Sequence, residues 1–588
     1  MKQHLPIRIL IALSILVGIL TFSKYGESWD VNSLSHYADG SISLYSGLIG
    51  SGSLSPDSIE DELALGNYGP AYMMSVNIIE RLVHSQKEGP NQIQHLVYFL
   101  TFQIGLVAFY QLCLRWMNET AAFGATLLFA TQPVLWGHAF INPKDIPFLA
   151  FFLLTLLLGF RMADNLQPTP LSKQTRLVST VFWLIPFVVI FFGSGLILAW
   201  IGDMVHAAAA GGTNIISRMA SDIATVPPEI YIQKYSNLYI QICFFYLLLS
   251  TLALFFIFRD SLAPILPAAL AAVVLGFTVA IRNLGLFAGL IVALYALWKH
   301  GRNALVHLLV YGVITAISIY LFWPYLWTNP IGRLVESALV MSRYPWNGLV
   351  LFNGIEYAST LLPTSYLPTL LGIQLTEPVW VLFILGLAVA IVGLREKRGL
   401  LILLIIWCFV PLLGFIFMRT VLYDNFRQIL FILPPIFIIL GLAFEKIKRP
   451  LLQMIVIALC VLPGIIGIVK LYPYEYIYYN SFIGGVDGAN AKFELDYWGT
   501  SYREAAVYVN SIASEDANIW VEGPSHLFAI YARKDLRIFS TAESERAKHY
   551  DYVIATTRYN LDETSYPEAK VIQTITRGKA VLTAIKKP

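Results

Sequence analysis

The segment Gly137-His138-Ala139-Phe140-Ile141-Asn142-Pro143-Lys144-Asp145-Ile146-Pro147 packs two prolines, an amide, an imidazole, an ammonium and a carboxylate into one short turn between apolar runs. Ionisable groups at the level of a membrane are expensive to keep there, so a functional role is the default reading. Lys144 can hold a phosphate as a point charge. His138 and Asp145 suit a metal or a sugar, and Asn142 sits among them. The plainer reading is a proline-stiffened turn closed by a Lys–Asp surface pair. A second place is Glu27-Ser28-Trp29-Asp30, just after the first apolar run. An acceptor hydroxyl is a poor nucleophile until a carboxylate takes its proton, and either acid here is a candidate base. A solvated loop start with an interfacial Trp accounts for the same residues.

Three further places carry polar chemistry. Asn67-Tyr68-Gly69-Pro70 is a turn signal that follows the acidic stretch 57–62, itself more in keeping with a solvated face. Arg282, Arg343 and Arg427 stand at the ends of apolar runs, where a phosphate-bearing lipid head needs clamps and where snorkelling anchors also sit. Tyr472-Pro473-Tyr474-Glu475-Tyr476-Ile477-Tyr478-Tyr479-Asn480 leads through Gly484-Gly485 to Asp496-Tyr497-Trp498-Gly499. An aromatic belt explains the tyrosines but not the glycines or the Asp-Tyr-Trp-Gly that follows.

The elements that must position these residues are membrane spans. The chain has 588 residues, 57% hydrophobic and 13% charged, with mean hydropathy +0.64. A soluble domain carries roughly 25% charge. The apolar residues fall in runs that match the roughly 20 residues needed to cross a bilayer. About thirteen such runs lie near 6–23, 92–112, 119–136, 146–162, 178–201, 237–258, 262–281, 284–298, 304–325, 378–394, 399–418, 428–444 and 451–470. The first is read as a retained span, since no small-residue cleavage site follows it. A net charge of +3 gives no argument for nucleic acid. The four cysteines (Cys113, Cys243, Cys408, Cys460) lie inside apolar runs and signal neither disulfides nor zinc.

Alternate short loops hold Arg115, then Arg161 with Lys173 and Arg176, then Arg259, Lys299 with Arg302, Arg395-Glu396-Lys397-Arg398 and Lys446-Ile447-Lys448-Arg449. With Lys2 and Arg8 they put the N-terminus and this set of loops in the cytoplasm. The opposite set (24–91, 137–145, 202–236, 326–377, 419–427) is longer, more acidic and richer in aromatics. From Tyr497 the apolar runs shorten to strand length, as in Asn518-Ile519-Trp520-Val521, Tyr552-Val553-Ile554-Ala555 and Ala580-Val581-Leu582-Thr583. They alternate with helical patterns such as 502–512, which is the pattern of a small α/β domain. The expected fold is a polytopic all-α membrane domain over 1–490, with a long first outer loop at 24–91. A soluble extracytoplasmic α/β domain over 491–588 follows it.

The combination resembles the GT-C-fold glycosyltransferases of the broad protein-mannosyltransferase and aminoarabinose-transferase type, in a bacterial branch. The resemblance is carried by Trp29-Asp30, Tyr68-Gly69-Pro70, Asn142-Pro143-Lys144-Asp145-Ile146-Pro147 and Arg282-Asn283-Leu284-Gly285-Leu286. Arg427 with Leu433-Pro434-Pro435, and the stretch from Tyr472 to Trp498, complete it. It implies transfer of a sugar from a polyprenyl-phosphate-linked donor to an acceptor on the outer face of the plasma (inner) membrane. The acceptor is a protein, a glycolipid or a polymer. Asp30 is the implied base; Val31 stands where many relatives carry a second acid, with Glu27 as its substitute. Asp145 sits where some such enzymes keep an acidic motif that binds a divalent metal, Mg or Mn. The candidate donor-phosphate and substrate-binding residues are Lys144, His138, Asn142, Arg282, Arg343, Arg427, Tyr68 and Glu27, with Arg343 included for its place at a span end.

A transporter or lipid-sugar flippase is the alternative. It calls for mid-span charges and broken helices in paired halves, whereas the polar content here concentrates in the outer loops. A purely structural membrane protein leaves the Asn-Pro-Lys-Asp turn unexplained. The odd number of spans places the C-terminus outside, so a reporter active only in the cytoplasm, fused after Pro588, is expected to be silent. A strong cytoplasmic signal would remove the whole topology.

Overall fold

The computed structural model describes residues 4–50, 54, 65–83, 92–166, 185–220, 222–257, 266–540 and 549–588. The acidic stretch 57–62 and the loop cations Lys2, Lys173, Arg176 and Arg259 lie outside the described residues. The chain is a multi-pass, mostly helical membrane protein with a small C-terminal sheet. Among the described residues, nine helical segments are long and apolar enough to cross a membrane. A tenth results if Tyr366–Gln374 and Pro378–Val392, bent by 106°, form one broken span.

Every one of the thirteen apolar runs contains a helix, and the difference in count has a local cause. The run at 119–136 divides into Glu119–Ala130 and Pro133–Ile141, because Pro133 starts a new helix rather than continuing the old one. Glu119–Ala130 has 12 residues and Leu266–Val279 has 14. At 1.5 Å per residue both fall short of a roughly 30 Å hydrocarbon core. Gly285–His300 and Leu305–Phe322 are joined by a tight 3₁₀ turn and count as one apolar segment.

The chain separates into two compact units. One comprises Ser33–Ile78 and Thr155–Arg343. Within it Leu266–Val279 packs on Leu305–Phe322, and Thr155 and Thr278 share a hydroxyl contact of 2.8 Å. A buried cluster of Leu44, Ile190, Phe191, Ile240, Tyr320 and Trp327 forms a core of its own.

The other unit comprises Met1–Asn32, Ile79–Leu154 and Tyr344–Pro588. Its central helix, Leu433–Glu445, is apolar all round and buried on nearly every side, as a helix with no polar stripe must be. It packs against Glu119–Ala130 on one side and Pro378–Val392 on another. Outside the helices lie an antiparallel hairpin, β1 (Leu349–Phe352) with β2 (Ile355–Ala358), and a five-stranded sheet. That sheet contains β3 (Asn518–Val521), β4 (Arg537–Phe539), β5 (Tyr552–Thr556), β6 (Lys570–Arg577) and β7 (Ala580–Lys587) in the order β4-β3-β5-β7-β6. β3 pairs in parallel with β4 and β5, while β7 is antiparallel to β5 and β6.

The three expected strands are β3, β5 and β7, and the expected helix is Tyr502–Ile512. The two strands not anticipated, β4 and β6, are the sheet's edges. An edge strand that is half exposed has no continuous apolar run to betray it.

Two glycines let the backbone close around the region of the Asn-Pro-Lys-Asp turn. A Cβ on Gly26 would lie 2.3 Å from the carbonyl oxygen of Thr500, and one on Gly137 would lie 2.3 Å from the main-chain nitrogen of Tyr476. Neither neighbour is a side chain that can swing away. Gly137→Ala is therefore expected to lower the thermal midpoint of the detergent-purified protein, since overpacking costs about 1–3 kcal/mol. Gly312→Ala, inside helix Leu305–Phe322 with nothing within 4 Å, is the control that adds the same methyl without a clash. Equal midpoints for the two variants would contradict this packing.

Candidate functional site

Helix Pro133–Ile141 must stop at Asn142, because the following Pro143 pushes Asn142 into extended backbone. The Asn142 side-chain oxygen then accepts the N–H groups of Lys144 (3.0 Å) and Asp145 (2.8 Å), which satisfies donors at the start of helix Asp145–Asp164. Its amide nitrogen donates to Asp145 Oδ2 at 3.0 Å and lies 3.2 Å from His138 Nδ1. His138 Nε2 in turn lies 3.1 Å from the hydroxyl of Tyr497. Asn142 and His138 therefore hold the turn in shape, and the turn presents Lys144 and Asp145 side by side.

These two neighbours open an ion network. Lys144 Nζ lies 3.0 Å from Asp30 Oδ2. Asp145 Oδ2 receives Arg427 Nη1 at 3.1 Å. Arg427 reaches Asp424 through Nη2 at 2.8 Å and Nε at 3.2 Å, and Asp424 Oδ1 receives Arg558 Nη2 at 2.7 Å. Asp424 and Asn425 hold left-handed backbone, with φ of 56° and 62°. Such a conformation costs on the order of 1–3 kcal/mol per non-glycine residue and persists only where its surroundings impose it. Here the imposed result is a carboxylate aimed between two guanidinium groups. Aromatic rings complete the enclosure. Arg427 lies 4.5 Å from the Trp498 ring and 5.0 Å from Tyr423, and Arg558 lies 5.1 Å from Trp29. The main-chain N–H of Trp29 donates to the main-chain carbonyl oxygen of Trp498, which ties the first loop to the same body.

Exposure separates the members of the network. The side chains of Arg427 and Asp145 are each 3% accessible, whereas that of Asp30 is 32% accessible. Asp30 is thus the carboxylate of this network that a ligand can reach, and Lys144 stands between it and the buried pairs. Partial burial pushes the Asp30 carboxyl up, but Lys144, Arg427 and Arg558 outweigh that and hold it below the usual carboxylate range.

Glu27, the other acid of the first loop, is buried, and one of its carboxylate oxygens accepts from Gln94 at 2.8 Å. Burial pushes its carboxyl up to about 8 against the pull of Gln94. Glu475 is likewise buried, accepts the Tyr25 hydroxyl at 2.8 Å, and is pushed up to about 8 by burial. Tyr68, Arg282 and Arg343 belong to the other compact unit. There the Tyr68 carbonyl accepts the Tyr37 hydroxyl at 3.2 Å, Arg282 continues the end of Leu266–Val279, and Arg343 caps Pro330–Ser342.

Asp424 and Arg558 were not singled out by the sequence. Asp424 stands three residues before Arg427, a spacing that hints at a local pair. Arg558 lies in the C-terminal sheet region, 134 residues from its partner, and no local pattern marks it. The donor set around Asp145 does not fit a divalent cation. Among the described residues no three His, Cys, Asp or Glu side chains converge, and the positive charge facing Asp145 is already supplied by Arg427.

No family model matches the chain, and no curated protein matches it. Among solved structures, ArnT from Cupriavidus metallidurans bound to undecaprenyl phosphate is similar over 98% of this chain and 97% of that one, at 11% identity and a TM-score of 0.46. The apo state of ArnT gives 12% identity and a TM-score of 0.43 over the same shares. The oligosaccharyltransferase of Archaeoglobus fulgidus in the apo form is similar over 94% of this chain and 70% of that one, at 11% identity and a TM-score of 0.36.

The buried acids make a pH prediction. Glu27 and Glu475 are protonated in the folded protein up to about pH 8, whereas free carboxyls ionise near 4.5. The folded state therefore binds more protons across that window, and stability falls as pH rises through it. Glu475→Gln keeps the hydrogen-bond acceptor and removes the titration. Its thermal midpoint should fall less steeply than the parent's between pH 5 and 8, as read by differential scanning fluorimetry in detergent; parallel curves would contradict the assignment.

Proposed function

We propose that this protein is an integral membrane glycosyltransferase that moves a sugar from a polyprenyl-phosphate-linked donor to an acceptor on the extracytoplasmic face. The observation that carries the reading is the Asp30–Lys144 pair at the accessible edge of an otherwise buried ion network. A carboxylate base and a phosphate-binding cation stand within one hydrogen bond of each other, where the chain leaves its first span.

The chemistry follows from that pair. A donor phosphodiester offers oxygens that compete with Asp30 for the Lys144 ammonium. As Lys144 turns to the phosphate, Asp30 loses the partner that depresses its basicity, and its affinity for a proton rises. Asp30 then takes the proton of the acceptor hydroxyl, and the acceptor oxygen forms a bond to the anomeric carbon. The bond from that carbon to the phosphate oxygen breaks, and its electron pair leaves on the polyprenyl phosphate, whose added negative charge Lys144 stabilises. Arg427, locked between Asp145 and Asp424, keeps Lys144 and Asp145 in place and adds positive potential. The step needs no nucleotide sugar, and the residues around Asp145 call for no metal in it. The bilayer supports the same placement, because the donor's lipid tail holds its reacting carbon near the membrane surface and Asp30 lies only a few residues beyond Leu5–Thr21.

Asp30→Asn keeps shape and hydrogen bonding but cannot accept the proton. It is expected to lower kcat by about 10²–10⁴-fold, the usual contribution of one general base, with donor KM nearly unchanged. Lys144→Gln is expected to raise donor KM as well. Both are read as consumption of each donor in a panel of polyprenyl-phosphate sugars. A fully active, folded Asp30→Asn enzyme would assign the base elsewhere; full activity of both variants would sink the reading.

A further inference from the structure

The C-terminal sheet sends one short helix to the first loop. Helix Ser525–Ala529 follows β3 through Gly523, whose left-handed backbone (φ 74°) turns the chain back. A Cβ on Gly523 would lie 3.7 Å from the Trp29 ring, an ordinary van der Waals contact. Beyond the helix, the Tyr531 hydroxyl accepts the main-chain N–H of Glu27 at 3.0 Å. Pro524 and Leu527 pack on Gly499, next to the Trp498 carbonyl that receives the main-chain N–H of Trp29. The helix is thus pinned to the first loop on both flanks, and His526 lies between the pins. Its imidazole donates to the main-chain carbonyl of Trp29 and faces the Asp30 carboxylate, and the residue is exposed to solvent.

The proton balance at Asp30 gives this neighbour a task. On the glycosyltransferase reading, each turnover leaves Asp30 carrying the acceptor's proton, and the next turnover needs that proton gone. Lys144, Arg427 and Arg558, the cations that act on the Asp30 carboxyl, have no lone pair to take it. A neutral imidazole has one, and histidine is the side chain whose charge changes near neutral pH. Partial burial pushes the His526 imidazole down, against the pull of the Trp29 carbonyl and of Asp30, so it is neutral at pH 7. Asp30 is the charged group that faces it from the first loop. Its own helix carries no other ionisable residue, and Tyr531 beyond the helix is turned to Glu27 and Arg503.

We infer that His526 is the exit for the proton that Asp30 takes from the acceptor hydroxyl. The proton passes from the Asp30 carboxyl to the imidazole, and the imidazolium releases it to bulk water. Both residues are then as they were before the cycle. His526 acts through Asp30 and does not touch the substrate: it positions the first loop through the Trp29 carbonyl and clears the base. This role rests on the glycosyltransferase reading; the pairing of His526 with Asp30 does not.

Two measurements on the full-length protein in detergent test it, with thermal midpoints checking the fold of each variant. In turnover of polyprenyl-phosphate sugars, His526→Gln keeps a donor for the Trp29 carbonyl but takes no proton. It is expected to lower kcat by about tenfold or more with donor KM unchanged. His526→Ala is expected to lose as much and to recover most of it when imidazole is added, a rescue that a purely structural role does not give. Without donor, carbethoxylation of His526 by diethyl pyrocarbonate, followed by mass spectrometry across pH, reports its titration. In Asp30→Asn the midpoint should move to lower pH, since the carboxylate favours the imidazolium. Parental kcat in both folded variants, or a loss that imidazole leaves untouched, overturns the relay while the glycosyltransferase reading stands. Equal midpoints in the parent and Asp30→Asn overturn the pairing and the relay with it. If the midpoint moves but the parent consumes no polyprenyl-phosphate sugar, the pairing stands and the relay falls together with the glycosyltransferase reading.

Discussion

The buried guanidinium of Arg427 is the constraint around which the ordered site is built. A charge removed from water is tolerated only when it is paired and its donors are satisfied. Arg427 meets both conditions with one distant and one local partner: Asp145, at the start of a helix 282 residues away, and Asp424, in its own strained loop. Each partner then imposes a further demand. Asp145 fixes the turn that carries Lys144, and Asp424 requires Arg558 for its second oxygen. The aromatic rings of Trp498, Tyr423 and Trp29 lie against the cations, and Asp30 is the most accessible member of the network. The network is charge-balanced across Asp30, Asp145, Asp424, Lys144, Arg427 and Arg558. Removal of any one buried member strands its partner, a penalty larger than the worth of the pair itself.

How much of this was legible in the sequence depends on whether the signal is local. Span-length apolar runs are local, and each run contains a helix. Their division is less legible, because whether a short run crosses alone or shares a turn with its neighbour depends on packing, as at Glu119–Ala130 and Leu266–Val279. The Asn142–Asp145 turn could be singled out since its residue types are out of place at that depth. Its internal hydrogen bonds are the ordinary capping chemistry of Asn before a helix. Arg427 could be listed as a cation at a run end, but nothing in the chain order separated it from Arg282 and Arg343. That distinction comes from burial between two carboxylates, which is a long-range property. The same holds for Arg558, and for Glu27, whose burial against Gln94 changes its protonation without changing its neighbours in sequence.

The 134-residue separation of Asp424 and Arg558 also bears on how the molecule is made. Translation proceeds at roughly 5–20 residues per second, so Asp424 is delivered on the order of ten seconds before its second cation exists. During that interval Arg427 is the cation available to it from its own loop. The helical part can therefore insert and pack, but the enclosure of the site waits for the last segment of the chain to be translated and folded. Biogenesis thus ends with a latch: until β5 and the loop behind it are in place, the network lacks one of its three cations.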